Sequence, residues 1–385
     1  MITMAGVKQF MTSITKFRPR DYQIKAVYQA LKNNRKVIVS PTASGKSMMI
    51  YTIVRYFVAK GEKILIVVPT TSLVEQMYKD FIEYGWNSEE YCHKVYAGHE
   101  KNTDLPVTIT TWQSVYKLPK QYFADYTAVI GDEAHQFKAK SLTSIMTKLY
   151  QAKYRVGFTG TLDGTQTHKW VLEGLFGPVD KIVKTEQLIN EGYLAKFKIN
   201  VLILKHPEQK FETYEDEIQY LISSEVRNNF IKNLALDLKG NTLILYSRVE
   251  THGEILFNSI NSINSDRLVS FIHGGVDTEE REKVRSITEQ EDNAIIVASY
   301  GTFSTGINIK RLHNVIFASP SKSRIRNLQS IGRVLRKGKG KEIATLYDIA
   351  DDIGGRNYTL KHLDERVNIY KGENFKYEVI RINLQ

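Results

Sequence analysis

The chain of 385 residues contains one cysteine, Cys92. An intramolecular disulfide is therefore impossible, and a zinc site built from several cysteines is excluded. No apolar run approaches the length needed to cross a bilayer. The first seventeen residues, Met1 to Phe17, interleave apolar side chains with Lys8, Gln9, Thr12, Ser13, Thr15 and Lys16. The continuous apolar core of a secretory signal is missing there. These absences lead us to expect a soluble cytoplasmic protein with no membrane partner. No segment is of low complexity. Acidic residues are missing from one long stretch, Asn293 through Lys341. That stretch holds Lys310, Arg311, Lys322, Arg324, Arg326, Arg333, Arg336, Lys337, Lys339 and Lys341. A solvated surface normally interleaves both signs of charge. The run therefore reads as phosphate-facing, and the net charge of +11 agrees with a polyanionic partner.

What is present begins with Ser40-Pro41-Thr42-Ala43-Ser44-Gly45-Lys46-Ser47. It follows the apolar run Val37-Ile38-Val39 and opens a helical pattern from Met48 to Lys60. Strand, small-residue loop, Gly-Lys-Ser and helix form the context of a P-loop, whose backbone N–H groups surround a polyphosphate. In that reading Lys46 reaches the β- and γ-phosphates and Ser47 holds Mg²⁺. Ser40 stands where the pattern has its first glycine. Taken alone, the octet also fits an ordinary strand-to-helix turn. Downstream, Asp132-Glu133-Ala134-His135 follows the short apolar run Thr127 to Gly131. Carboxylates at a strand's C-terminal edge beside a P-loop suit Mg²⁺ binding by Asp132 and activation of the attacking water by Glu133.

The length implies two domains. In the first half, the strand candidates Val37–Val39, Ile64–Val68, Val107–Thr110, Ala128–Ile130 and Val156–Phe158 alternate with helical stretches such as Leu73 to Tyr84. The alternation then restarts with Leu243–Tyr246, Leu268–Ile272, Ala294–Ala298, Val315–Ala318 and Ile343–Leu346. Helical stretches fall at Tyr214–Leu238, Val249–Ile260, Thr278–Ile287 and Ile325–Leu335. Such alternation predicts α/β architecture with parallel sheets wrapped by helices. The second half has no Gly-Lys-Ser/Thr loop. The expected division is an extension at 1–17, a first domain at 18–185, a connector at 186–198, a second domain at 199–361 and a tail at 362–385. The tail is expected to pack on the second domain as a helix and an edge strand.

The order of these segments resembles a helicase of superfamily 2, with two tandem RecA-like domains. Arg18-Pro19-Arg20-Asp21-Tyr22-Gln23 resembles the segment that recognises adenine, and Pro41 to Ser47 resembles motif I. Val68 to Gln76 is similar to motif Ia, and Ile109-Thr110-Thr111-Trp112-Gln113-Ser114 to the next strand-binding segment. Asp132 to His135 is a DEAH form of motif II. Thr159-Gly160-Thr161 stands where motif III usually reads Ser-Ala-Thr. Ser299 to Asn308 resembles motif V, and Gln329 to Arg336 resembles motif VI. Phe271 to Gly275 and Ala298 to Ile307 look most like the phage UvsW-type group, related to XPB and RecG, which acts on branched DNA. Some relatives carry an extra N-terminal DNA-binding domain; with seventeen residues ahead of Arg18, none is expected in this sequence.

The resemblance implies ATP and Mg²⁺ as cofactors, with ATP and the motif VI arginines at the interdomain cleft. ATP would be bound by Arg18, Gln23, Pro41, Thr42, Ala43, Ser44, Gly45, Lys46, Ser47, Gly306, Asn308 and Gln329, and Mg²⁺ by Ser47 and Asp132. Lys46, Asp132, Glu133, Arg333 and Arg336 would carry catalysis, and His135, Thr159 and Thr161 would couple the site to the second domain. Arg333 and Arg336, three apart on one helix candidate, would stabilise transition-state charge once the cleft closes. The alternative places both arginines in the basic stripe. DNA contacts would come from Thr70, Thr71, Thr110, Thr111, Trp112, Gln113, Ser247, Arg248, His273, Thr302 and Ser304, and from a stripe of Lys322, Arg324, Lys337, Lys339 and Lys341. Read singly, each hydroxyl also fits a cap or turn, Trp112 a buried position and His273 a turn cap. The expected function is ATP-driven unwinding or remodelling of forks, junctions and D- or R-loops in recombination, repair and replication. The expected partners are single- or double-stranded branched DNA and RNA:DNA hybrids, the expected state is a monomer, and the compartment is the bacterial host's cytoplasm if a phage encodes the chain. An RNA helicase and a non-catalytic strand-binding or annealing protein are the alternatives.

Overall fold

Ile64-Leu65-Ile66-Val67-Val68 has no polar face, and such a strand is stable only when helices cover both sides of its sheet. In the computed structural model all five residues are buried. Each such side chain contributes about 1.5–3 kcal/mol. The structure describes residues 2–136, 139–162, 164–263, 266–306, 309–319, 323–354 and 356–384. The chain forms two units, Met1–Lys184 and Thr185–Gln385.

The first unit contains β1 (Arg35–Val39), β2 (Ile64–Val68), β3 (Cys92–Val95), β4 (Val107–Thr111), β5 (Ala128–Gly131), β6 (Tyr154–Thr159) and β7 (Val179–Lys181). They form one parallel sheet in the order β3-β4-β2-β5-β6-β1-β7. This order places β6 between β1 and β5. The loops after those three strands are therefore neighbours at the carboxyl edge, where open α/β sheets bind ligands. The amino-terminal segment belongs to this unit as a helix, Met4–Ile14. Val7 and Met11 anchor it, and the Tyr51 hydroxyl donates to the Ile14 carbonyl at 2.8 Å.

The second unit contains β8 (Lys196–Lys205), β9 (Thr242–Tyr246), β10 (Val269–Ile272), β11 (Ile295–Ser299), β12 (Asn314–Phe317), β13 (Ile343–Asp352) and β14 (Tyr377–Asn383). Its parallel order is β10-β11-β9-β12-β13-β8-β14. Counted within its own unit, that order repeats the first sheet strand for strand. The two halves share one topology, and only the first holds a P-loop.

Two expectations about elements need correction. Residues 186–198 are not a free connector: Thr185–Asn190 is a helix, and β8 begins at Lys196. Their mixed composition arises because the exposed Lys196 and Lys198 open a strand that becomes buried from Val201 to Leu204. The helical stretch expected over Tyr214–Leu238 is two helices, Tyr214–Ser223 and Glu225–Asp237. Ser224 breaks them, and its hydroxyl accepts from Arg227 N–H to cap the second.

The helix Tyr358–Gly372 ties the tail to the core through charge. Arg366, buried, donates to the Asp348 carboxylate of β13 at 2.9 Å, and the Tyr370 hydroxyl donates to it at 2.7 Å. Removing one partner of a buried pair strands the other. Arg366→Ala is therefore expected to destabilise the chain by about 3–5 kcal/mol. Urea unfolding of the variant against the parent checks this.

Candidate nucleotide and nucleic-acid site

β1 delivers the chain to Ser40, whose N–H donates to the Thr159 carbonyl at 3.0 Å. The P-loop is thus tied to the end of β6 at its first residue. The Ser40 hydroxyl donates to the Ser44 hydroxyl at 2.7 Å, and both residues are buried. Serine replaces the usual glycine here by closing a bond across the loop. Ala43 (φ 67°) and Gly45 (φ 79°) carry the left-handed turns. Gly45 also faces a steric limit, since a Cβ there would lie 2.4 Å from Gln23 Nε2.

Gln23 and Tyr22 hold the loop from the helix Asp21–Asn33. The Gln23 amide and the Tyr22 hydroxyl both donate to the Ser44 carbonyl, at 2.9 and 2.8 Å. Gln23 Oε1 accepts from Arg20 N–H at 2.9 Å. Gln23 is buried, and one N–H and the oxygen of its amide bond the protein here. Arg18 is exposed.

Lys46 opens the helix Lys46–Ala59, and its Nζ lies 3.1 Å from Glu133 Oε1. Gly160, the departure in motif III, lies against the P-loop. A Cβ at that position would sit 3.3 Å from Lys46 Nζ and 3.5 Å from Thr42 Oγ1, a contact that asks only a small shift of the lysine tip. Glu133 adopts φ 49°, a left-handed conformation that non-glycine residues hold mainly where a site demands it. Asp132 Oδ1 accepts from Glu133 N–H at 2.9 Å. His135 Nδ1 lies 2.5 Å from Thr159 Oγ1, which donates to the Thr161 carbonyl at 2.7 Å. The DEAH segment and motif III are therefore in direct contact. Ser47 is turned aside, with its hydroxyl 2.7 Å from the Tyr84 hydroxyl. Tyr84 carries no motif signal and was missed by sequence reasoning.

The charges are unequal. Burial, and then the adjacent Glu133 carboxylate, push Asp132 up to about 7. Burial also acts on Glu133, but Lys46 and then His135 outweigh it and hold its carboxyl below the usual range. Two carboxylates thus share one lysine, and the second charge has no cation of its own. The oxygen donors Asp132 and Ser47 suit a hard, phosphate-bound cation such as Mg²⁺. Among the described residues, no cluster of three His, Cys, Asp or Glu side chains could hold a metal.

The family models agree with this arrangement. Residues 16–164 match the Type III restriction enzyme res subunit, and residues 225–338 match the helicase conserved C-terminal domain. The chain is 36% identical to the ATP-dependent DNA helicase uvsW of Enterobacteria phage T4, over 96% of this chain and 78% of that protein. The chain belongs to the UvsW-type ATP-dependent DNA helicases. It is also 26% identical to the DNA 3'-5' translocase XPB2 of Sulfurisphaera tokodaii, over 85% of this chain and 80% of that one. Two solved structures share the fold. One is an HsdR subunit fragment of a type I restriction enzyme from Vibrio vulnificus, at TM-score 0.69, 19% identity, and 97% and 70% coverage of this chain and that one. The other is S. cerevisiae Dbp5 bound to RNA and ADP BeF3, at TM-score 0.67, 16% identity, and 98% and 93% coverage. The two sheets are accordingly tandem RecA-like domains, and no helix among the described residues is long and apolar enough to cross a membrane.

At the ends of β2 and β4 this helicase gathers several of the expected DNA contacts. Val68 and Thr111 pair in register, and the Gln113 amide donates to the Pro69 carbonyl at 3.3 Å. Thr70 caps the helix Thr71–Glu83, Thr71 is exposed, and the Thr111 hydroxyl bonds Ser114 at 2.8 Å. Trp112 is half-buried, with its ring 5.6 Å from that of Tyr116. Thr110 needs correction: its hydroxyl is buried and donates at 2.8 Å to the carbonyl of Val95, its register partner on the adjacent β3.

In the second unit Ser247, His273 and Thr302 follow β9, β10 and β11 at one sheet edge. Ser247 is exposed, and His273 Nδ1 accepts from Gly275 N–H at 3.1 Å. Thr302 is buried against the Ser299 hydroxyl at 2.8 Å, and Arg248 pairs with Glu215 at the surface. Gln329 is buried, and Arg333 and Arg336 are half-buried. Asn308 and Lys322 lie outside the described residues, as do the side chains of Ser304 and Arg324, and Gly306 ends the helix Tyr300–Gly306.

The basic stripe is only partly a surface. Lys337 and Lys339 are exposed. Arg311 pairs with Asp292 from outside the acid-free run. Lys341 is 3% exposed and holds backbone carbonyls, so it cannot face phosphate. Arg333 and Arg336 do not share a helix, because the helix Arg324–Val334 ends between them. Arg336 N–H instead reaches back to the Arg333 carbonyl at 3.4 Å.

Lys339 lies between Gly338 and Gly340, the latter at φ 74°. Lys339→Ala is expected to weaken DNA binding alike on unrelated sequences and to reduce the slope of log affinity against log salt by about 0.7–0.9. A salt titration of binding checks this.

Proposed function

We propose that the chain hydrolyses ATP to move along and separate the strands of branched DNA: forks, junctions and D- or R-loops. The observation that carries this reading is the Lys46–Glu133 contact at 3.1 Å beside the buried Asp132, on the carboxyl edge of the first sheet. In this reading the loop from Pro41 to Ser47 cradles the polyphosphate with N–H groups, and Lys46 leaves Glu133 to meet the γ-phosphate. Glu133, held ionised, takes the proton of the attacking water. Asp132 and Ser47 hold Mg²⁺, which neutralises phosphate charge when bound. Ser47 leaves Tyr84 to do so. Arg333 and Arg336 supply transition-state charge from the second unit, and His135 and Thr159 pass the state of Glu133 to motif III.

Thr70, Thr71, Thr111, Gln113, Ser247 and His273 hold phosphates without reading bases, which suits a sequence-independent track. The relatives from phage T4 and Sulfurisphaera, each named for DNA, support DNA over RNA. The test is steady-state ATP hydrolysis with matched single-stranded DNA, single-stranded RNA, linear duplex DNA and four-way DNA junctions. DNA is expected to stimulate turnover more than RNA, and the junction more than linear duplex. Stimulation by RNA alone would overturn the reading.

A further inference from the structure

Lys341 ends the acid-free run, yet its ammonium never reaches the surface. Nζ donates to the Lys310 carbonyl at 3.1 Å, to the Arg336 carbonyl at 2.8 Å, and to the Val334 carbonyl. An ammonium has three protons, and here each has a carbonyl. One of those carbonyls, Val334, is the last of the motif VI helix, where terminal carbonyls lack intrahelical partners and favour a cation, and another, Arg336, lies in the turn just after it. The third belongs to the segment that follows motif V. That segment is fixed from its other side, since Arg311 donates to the Glu289 carbonyl at 3.0 Å and Lys310 N–H donates to the Glu289 carboxylate.

The turn that carries Lys341 is fitted closely to the same segment. Lys341 N–H donates to the Gly338 carbonyl at 3.1 Å. A Cβ on Gly338 would lie 2.9 Å from the Lys310 carbonyl oxygen and 3.1 Å from its carbon. Both are backbone atoms and cannot swing away. Burial drives the Lys341 pKa down to about 7, with the nearby Arg336 adding to the fall and Glu289 opposing it. Evidently the position keeps a lysine at an electrostatic cost, which a purely space-filling residue would avoid.

We propose that Lys341 is a positioning residue for ATP hydrolysis, locking the backbone of Arg336 onto the segment after motif V. This rests on the reading that Arg336 acts on the γ-phosphate. Lys341 itself touches no substrate. It sets where Arg336 stands, and it links the motif V segment to motif VI so that the two shift together. Lys339, two residues away, has the opposite role in this account: it faces solvent and DNA.

The experiment compares Lys341→Met, Gly338→Ala and Arg336→Ala, each with DNA present, measuring kcat and KM for ATP, the salt slope of DNA binding and the melting temperature. Lys341→Met keeps the side-chain stem and removes every donor. Misplacing a charge-stabilising group by about 1 Å can cost about 10²-fold, so kcat should fall roughly 10- to 100-fold while KM for ATP stays near the parent value. The salt slope should not change. Gly338→Ala separates the same two segments while leaving the Lys341 side chain unaltered, and should show the same split to a smaller degree. It keeps the test open if Lys341→Met fails to fold. If Arg336→Ala loses turnover while folded Lys341→Met and Gly338→Ala both turn over normally, the positioning role is wrong and the role of Arg336 stands. If Arg336→Ala turns over normally, the role of Arg336 is wrong and this inference falls with it. A kcat loss in Lys341→Met and Gly338→Ala that only tracks the unfolded fraction would make Lys341 structural and overturn the proposal. A shallower salt slope in Lys341→Met would return Lys341 to the DNA path and overturn it as well.

Discussion

Glu133→Gln is expected to lower ATP turnover by about 10²–10⁴-fold, the usual worth of a positioned general base. The shape of the site survives the change. The amide oxygen can still accept from Lys46 Nζ, now 3.1 Å away, and glutamine fits the φ of 49° as well as glutamate does. The charge does not survive. Asp132 is pushed up partly by the Glu133 carboxylate, so with a neutral amide beside it Asp132 ionises more readily. ATP and Mg²⁺ should therefore bind at least as well as in the parent while hydrolysis stalls. Binding of a fluorescent ATP analogue and phosphate release, measured on the same preparation, separate the two. Turnover within a fewfold of the parent would assign the base to another group.

Lys46→Ala is the second large effect. It removes the cation that meets the terminal phosphates, and deleting one such electrostatic contact costs about 10²–10³ in rate. A further loss comes from Glu133. Lys46 is the main force holding that buried carboxyl below its usual range, so without Lys46 the carboxyl rises and protonates more readily. The variant thus loses phosphate charge stabilisation and weakens its own base. DNA affinity without nucleotide should stay near the parent value, since Thr71 and Gln113 follow other strands, β2 and β4. Phosphate release and DNA binding by anisotropy check both halves. Normal turnover would remove Lys46 from the reaction.

The sequence made the central strands legible and hid the edges, for a physical reason. Ile64–Val68 is covered on both faces and so reads as an unbroken apolar run. β7 is three residues, Val179–Lys181, and joins the sheet at its border beside β1, where one valine suffices. β8 opens with Lys196 and Lys198 facing solvent and so resembled a linker. In the candidate site, Lys46, Asp132 and Glu133 were readable because their chemistry needs particular residue types after particular strands. Tyr22, Gln23 and Tyr84 act on the P-loop from helices, through contacts that spacing does not record. Charge runs misled most. Lys339 and Lys341 look alike in sequence, and only the Gly338–Lys341 turn puts one outside and the other on carbonyls.

The most direct test of the account is strand displacement from a forked DNA duplex by the intact chain, followed as release of a labelled strand with ATP and Mg²⁺ present. The account expects release that requires hydrolysable ATP and that disappears in Glu133→Gln although the fork is still bound. Release that proceeds equally without ATP, or unchanged in Glu133→Gln, would contradict it.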